Sequence, residues 1–373
     1  MIKDVLETHE DLRRFLFVRG FLATTSPDVP AEGFPFYGAW QHTELGDLHI
    51  WTHPQTGFHH VSDSRATIFL FGHAYNPFTM QTDEPVILQR VLEHWGDADF
   101  YDYVDELTGV FVLGAIEDSR VTFLVDPSGM QSACYGRVDD HFYLSSHPQL
   151  VADIRGLQMD GFVAELLEYT WYPRVMGGYL PADLTPFSEL KRVVPNHEFV
   201  HDALTGGVQH HLFYPIKDLQ EVQNEDEYQQ VIEDAADILK KNMELVVRKW
   251  QHPWISLTGG IDSNTTFAAA NGVYRQVQAF SYLSAPKEVP DTEAAETIAK
   301  RFQVPWTLYR IPEDASGLDR FDEKAAIIRH NNGYIAKEKD NELRKRVVLE
   351  DECPADVEVK EVLMNGATGL EIG

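Results

Sequence analysis

Over residues 1–212, short apolar runs alternate with polar turn formers. The runs at 66–71, 109–116, 121–125 and 141–144 are rich in β-branched and aromatic residues. Gly, Pro, Asp or Ser bounds each of them, which predicts strands. Asp126-Pro127-Ser128-Gly129 and Val138-Asp139-Asp140-His141 read as turns. Two short helices are expected near 84–95 and 159–170. No fixed-period repeat and no low-complexity tract is visible.

The pattern changes after Tyr214-Pro215. Asn224 can cap a helix, with Glu227 as its capping-box partner. Apolar residues then recur at Tyr228, Val231, Ile232, Ala235, Ile238, Leu239, Met243, Val246 and Trp250, the spacing of one helix face. Residues 254–257 read as a short buried strand, followed by a Gly-Gly turn and a second helix. Strands are expected again at 277–283, 306–311 and 362–364, with helical patterns between them. Such alternation implies an α/β domain on a parallel sheet with right-handed crossovers. The boundary falls near 213–222, giving domains 1–212 and 213–373.

Composition narrows the function. The 373 residues carry 31 Lys plus Arg against 59 Asp plus Glu, a net charge of −28, with 43% hydrophobic and 12% aromatic residues. That is globular, and two domains suit the length. The charge argues against nucleic acid and against an anionic membrane surface as partners. No apolar run approaches the roughly 20 residues of a membrane span. The first residues, Met1 to Glu7, lack the apolar core of a signal peptide, so the expected compartment is the cytoplasm. Cys134 and Cys353 form neither a disulfide framework nor a zinc pattern.

The chemistry concentrates in Ser256-Leu257-Thr258-Gly259-Gly260-Ile261-Asp262-Ser263, between a predicted strand and a predicted helix. Two glycines let backbone approach a ligand closely, and the helix N-terminus adds partial positive charge. Thr258 and Ser263 offer hydroxyls. Together they suit a phosphate chain. No Gly-Lys-Ser/Thr follows, so this is not a Walker A loop, and the third glycine of a dinucleotide fingerprint is missing.

The stretch resembles the Ser-Gly-Gly-x-Asp-Ser pyrophosphate loop of the ATP pyrophosphatases, within them most closely asparagine synthetase and its relatives. Thr258 replaces the usual serine. The resemblance implies that Thr258, Gly259, Gly260, Asp262 and Ser263 hold the pyrophosphate of ATP, with Asp262 helping to hold Mg²⁺. Leu257 and Tyr282 match residues lining the nucleotide. Residues 362–371 resemble the family's second loop, Gly-x-Gly-x-Asp-Glu, where Asn365 and Gly366 match ATP-contacting positions and Glu371 matches the catalytic glutamate. Leu370 stands where the aspartate should be, which puts aspartate as substrate in doubt.

The first half resembles the glutaminase domain of asparagine synthetases, at 69–76, 107–111, 126–136 and 187–196. The resemblance implies an α+β αββα sandwich of the Ntn-hydrolase type. That glutaminase needs a cysteine as its N-terminal nucleophile, and residue 2 here is Ile2. Phe71 replaces the oxyanion-hole asparagine, and one lost donor costs roughly two to three orders of magnitude in rate. The expectation is a glutaminase-inactive domain beside an adenylating one, as in β-lactam synthetase and lasso-peptide cyclases.

The implied activity is an ATP- and Mg²⁺-dependent ligase that activates a small-molecule or peptide carboxylate and passes it to an amine donor. Two alternatives stay open: a glutamine-hydrolysing asparagine synthetase, and a non-catalytic nucleotide-binding or scaffold homologue. The family has a further helical region after the position of Glu371, so the chain is expected to be truncated there, or completed by a partner protein or a homo-oligomer. Elsewhere, the pairs His59-His60 and His210-His211 lack ligand spacing and read as structural. The cationic segment 337–346 reads as a solvated helix, or alternatively as a segment closing over phosphates. The cluster of Tyr169, Trp171 and Tyr172 reads as packing.

Overall fold

The computed structural model describes residues 2–30, 32–169, 171–172, 180–215, 221–251, 253–334 and 343–348, and the backbone of 363–364. The strands are β1 Phe21–Thr24, β2 Gln41–Leu45, β3 Leu48–Thr52, β4 Phe58–Ser62, β5 Thr67–Tyr75, β6 Thr108–Glu117, β7 Arg120–Val125, β8 Cys134–Val138, β9 His141–Ser145, β10 Leu190–Arg192, β11 His197–Asp202, β12 Val208–Leu212, β13 Trp254–Ser256, β14 Gln278–Leu283, β15 Trp306–Arg310 and β16 Leu363–Met364. The helices are α1 Ile2–Thr8, α2 Glu84–His94, α3 Phe100–Asp105, α4 Pro148–Arg155, α5 Gly161–Glu168, α6 Glu225–Lys249, α7 Ile261–Ala269, α8 Val289–Phe302 and α9 Phe321–Asn331.

Packing divides the chain into two compact units that interleave along the sequence. One comprises Met1–Gly72, Phe111–Leu212 and Leu318–Leu343, and the other His73–Val110, Phe213–Gly317 and Arg344–Gly373. The linear division at 212/213 differs from this in two segments: 73–110 groups with the second unit and 318–343 with the first. A helix's apolar stripe shows that it is buried, not which sheet it meets.

The first unit is built on two six-stranded sheets, in the orders β10-β8-β9-β1-β3-β2 and β12-β11-β7-β6-β5-β4. Their inner faces share one core, in which Phe21, Ile50, Phe142 and Leu144 of one sheet meet Phe69, Phe71, Phe123 and Phe199 of the other. Alternation along each strand puts these residues on one face. The other face of the first sheet carries Leu22, Trp51 and Tyr143 into a second core, with Ile2 and Leu6 of α1, Leu150 and Val151 of α4 and Ile327 of α9. Helix α9, read from sequence as part of the second domain, is fixed here by side chains. Asn331 accepts from Phe17 N–H at 3.0 Å, and His330 Nε2 lies 2.7 Å from Asp153 Oδ2. The turn at Asp126 is held as the sequence suggests: its buried carboxylate accepts N–H bonds from Ser128, Met130 and Gln131 at 2.8–3.1 Å. Of the predicted aromatic cluster only Tyr172 is buried, whereas Tyr169 and Trp171 are exposed.

The second unit carries a four-stranded parallel sheet in the order β15-β14-β13-β16. Its core joins Ile255, Leu257, Ala279, Phe267 of α7, Ala295 and Ala299 of α8, and Leu245 and Val246 of α6. Asn224 caps α6 as expected, accepting Glu227 N–H at 3.0 Å, while Glu227 accepts Gln223 N–H at 2.7 Å. Only the C-terminal part of the α6 stripe is buried, and Tyr228, Val231, Ile232 and Leu239 are exposed. No described helix is long and apolar enough to cross a membrane.

Candidate functional site

Strand β13 is an inner strand of the parallel sheet, and its C-terminal end leads into the bend. Ligands of open α/β sheets sit at such strand ends. Leu257 N–H donates to Phe280 O at 2.8 Å. The Ser281 hydroxyl donates to Leu257 O at 2.6 Å and accepts Trp306 Nε1–H at 2.9 Å. One buried hydroxyl thus ties three consecutive strands together at the edge of the site. The Leu257 side chain is fully buried in the core.

Side-chain bonds close the bend on itself. Thr258 N–H donates to Ser263 Oγ at 3.1 Å, and the two hydroxyl oxygens lie 2.9 Å apart. Gly260 N–H donates to Thr258 Oγ1 at 3.0 Å. Asn264 Nδ2 donates to Gly260 O at 2.7 Å and to Thr258 O at 3.2 Å. The hydroxyls of Thr258 and Ser263, assigned from sequence to the phosphates, are engaged in the loop's own shape.

The two glycines have different reasons to be there. Gly260 has φ −76° and ψ 155°, a backbone open to any residue, and is exposed. Gly259 faces α8, where a Cβ would lie 2.7 Å from Asp291 Oδ1. A side chain at 259 would therefore press on α8.

Helix α7 starts at Gly260 without a side-chain cap, so its first amides are left for solvent or a ligand. Asp262 stands exposed in its first turn, and Asp291 is exposed in the first turn of α8. Carboxylate oxygens suit Mg²⁺, and uncapped helix amides suit phosphate oxygens. On the next strand, Tyr282 is half-buried, with its ring 5.3 Å from that of Phe280 and Lys345 Nζ 5.8 Å from its centroid. Glu288 accepts the N–H groups of Ser284 and Ala285 at 2.7 and 3.1 Å. Burial raises its pKa, but those bonds, the Ser284 hydroxyl and the Lys345 cation outweigh it and hold the carboxyl below its usual range.

Asn365, Gly366 and Glu371 lie outside the described residues. The strand before them is β16, paired in parallel with β13 through Ile255 and Met364. Asp291, Glu288 and the pinning role of Ser281 were missed from sequence. An acidic residue in a helix's first turn is the ordinary pattern, and nothing in the sequence tied Asp291 to a glycine 32 positions earlier.

In the first unit, Ile2 is buried in helix α1, and Phe71 is fully buried between Phe21 and Phe58, with ring centroids at 4.1 and 5.0 Å. Cys134 is buried too, and burial drives its thiol pKa upward. His211 pairs with Glu198 at 3.3 Å and His210 stacks on Phe199 at 5.2 Å, so both serve the sheet.

Residues 239–328 match the family model described as asparagine synthase. No curated protein matches the chain. Among solved structures, the glutamine PRPP amidotransferase of B. subtilis, complexed with ADP and GMP, is 11% identical, with 98% of this chain and 93% of that one covered at a TM-score of 0.34. The glutamine-dependent NAD⁺ synthetase of Acinetobacter baumannii, in complex with ADP, is 14% identical over 42% of this chain and 27% of that one, at a TM-score of 0.24. The family match spans the bend, α7, β14, α8 and β15. The part of this chain that holds the bend is thus similar to the asparagine synthase family over residues 239–328.

Proposed function

We propose that the protein is an ATP-dependent, amide-forming ligase of the asparagine synthetase type that does not hydrolyse glutamine itself. The observation that carries this reading is the Thr258–Ser263 bend, locked by its own hydroxyls at the end of an inner parallel strand and lying within the family match. The Gly259 and Gly260 backbone and the first amides of α7 would receive the pyrophosphate portion of ATP. Asp262, with Asp291 beside the bend, would hold Mg²⁺, which offsets phosphate charge when bound. Tyr282 and the backbone of Leu257 would border the nucleotide. Asn365 and Gly366 complete that border in this reading, and Glu371 positions the carboxylate or the incoming amine.

The reaction is a two-step transfer. A substrate carboxylate oxygen attacks the α-phosphorus, and pyrophosphate leaves. The amine nitrogen then attacks the acyl carbon, AMP leaves, and the amine gives up a proton. This chain does not draw the amine from glutamine, because Ile2 offers no thiol and Phe71 no donor for glutamine hydrolysis, so the amine belongs to the substrate itself or to a separate donor. The substrates are a small-molecule or peptide carboxylate and an amine, handled in the cytoplasm.

The test is ATP–pyrophosphate exchange with a panel of carboxylic acids. Exchange that depends on one acid class supports the reading. Absence of both exchange and ATP binding overturns it.

A further inference from the structure

In the first unit, the β2–β3 hairpin brings together three metal-ligating side chains that lie outside the bend. His42 and Glu44 are two residues apart on β2, so they share a face. His49 on β3 is directly opposite Glu44, and Trp51 is directly opposite His42. Opposed residues of an antiparallel pair project to the same side, which puts all four on one face. Strand β2 is the edge of its sheet.

The cluster is ordered by packing. Trp51 is buried and lies parallel to Phe36, with centroids 6.1 Å apart. The His42 ring stacks on Trp51 at 4.4 Å, and the His49 ring lies 5.6 Å from that of His42 at an interplanar angle of 15°. Glu44 Oε1 is 3.5 Å from His49 Nδ1. One ligand atom from each of His42, Glu44 and His49 lies within 4.8 Å of the others. Donors around a zinc-sized ion at bond lengths of about 2.0–2.2 Å sit about 3.3 Å apart. Small rotations of the exposed Glu44 and the partly buried His49 would span that difference, while the Trp51 wall holds His42 in place.

From this geometry we infer that His42, Glu44 and His49 form a binding site for a borderline divalent cation of the zinc class, with its remaining coordination open to solvent. Two imidazoles and one carboxylate favour such an ion over Mg²⁺, which takes oxygen donors. The site is independent of the nucleotide reading.

The test is calorimetric titration of the intact, tag-free chain with Zn²⁺ alone. The expected result is one saturable ion per chain, with affinity falling at least about tenfold in His42→Ala and in His49→Ala, and less in Glu44→Gln. Acid should weaken binding, because a proton and the metal compete for the same ligand nitrogen. His210→Ala, on another hairpin, should bind as the parent does. If His42→Ala unfolds the hairpin by circular dichroism, His49→Asn and Glu44→Gln carry the same expectation with less loss of packing. No saturable binding, or undiminished affinity in the folded His49 and Glu44 variants, overturns the assignment.

Discussion

Gly259 and Asp291 approach so closely that a Cβ on the glycine would lie 2.7 Å from the carboxylate oxygen. The two residues belong to different crossover segments of the same sheet. The bend and the first turn of α8 are close neighbours there. Gly259→Ala should therefore displace the Asp291 carboxylate, the far end of an exposed side chain, at a cost of about 0.5–1.5 kcal/mol. Asp291→Ala in the same chain should recover part of that loss. A double-mutant cycle read by thermal or urea unfolding checks it, and simple additivity would count against the contact.

Ser281 supports the site from below. Its hydroxyl bonds Leu257 O and Trp306 Nε1, and the residue is 1% exposed. Ser281→Ala leaves a buried carbonyl and a partly buried indole N–H without that partner, a loss of about 1–3 kcal/mol. Urea unfolding should show it, and Trp306 fluorescence should shift in the native state. An unchanged midpoint would mean that water replaces the hydroxyl.

Much of this was legible in the sequence. The Thr-Gly-Gly-x-Asp-Ser run announced a strand–bend–helix because each residue type has a local reason to be there, and the alternation of strands and helices announced the parallel sheet. Asn224 and Glu227 marked the start of α6 in the same local way. Long-range pairings were not legible. Asp291 is opposite Gly259 only once α8 packs on the sheet, and α9 joins the first unit through Asn331 and His330, whose partners lie far away in sequence. The His42, Glu44 and His49 cluster escaped because its ligands meet across a hairpin rather than along a helix. The α6 stripe misled in part: its period was correct, but Val231 and Ile232 remain exposed.

Two histidines make the first unit's stability sensitive to mild acid. Burial, with the Arg19 charge adding to it, pulls the His53 pKa down to about 4, and burial with His53 nearby does the same to His147. His53 Nδ1 accepts the Gln55 N–H at 3.1 Å, a bond that only a ring unprotonated at Nδ1 can accept. As pH falls below the free value of about 6.5, the unfolded chain takes up these protons first. The contribution is complete above that value and is lost as pH falls toward about 4. Unfolding midpoints compared at about pH 7 and about pH 5 should fall less in His53→Gln than in the parent. An equal fall in both would contradict this assignment.

Glutamine should not be hydrolysed. Ile2 is buried in α1, and Phe71 lies flat against Phe21, at an interplanar angle of 5°. Ile2→Cys alone should not create activity, because Phe71 still provides no donor to an oxyanion. Glutamate release assayed with ATP present checks both chains. Release by the parent chain would refute the reading.

ATP affinity measured on Gly260→Ala and Asp262→Ala decides whether the bend holds the triphosphate. Gly260 has ordinary backbone angles, and its added Cβ would meet only Thr258 Oγ1, at 3.3 Å, so the fold should survive this change. Asp262 is exposed, so its loss should also leave the melting temperature nearly unchanged. ATP–Mg²⁺ binding should weaken at least about tenfold in each variant, with native stability. Parent-like affinity in both folded variants would mean that the bend does not hold the triphosphate.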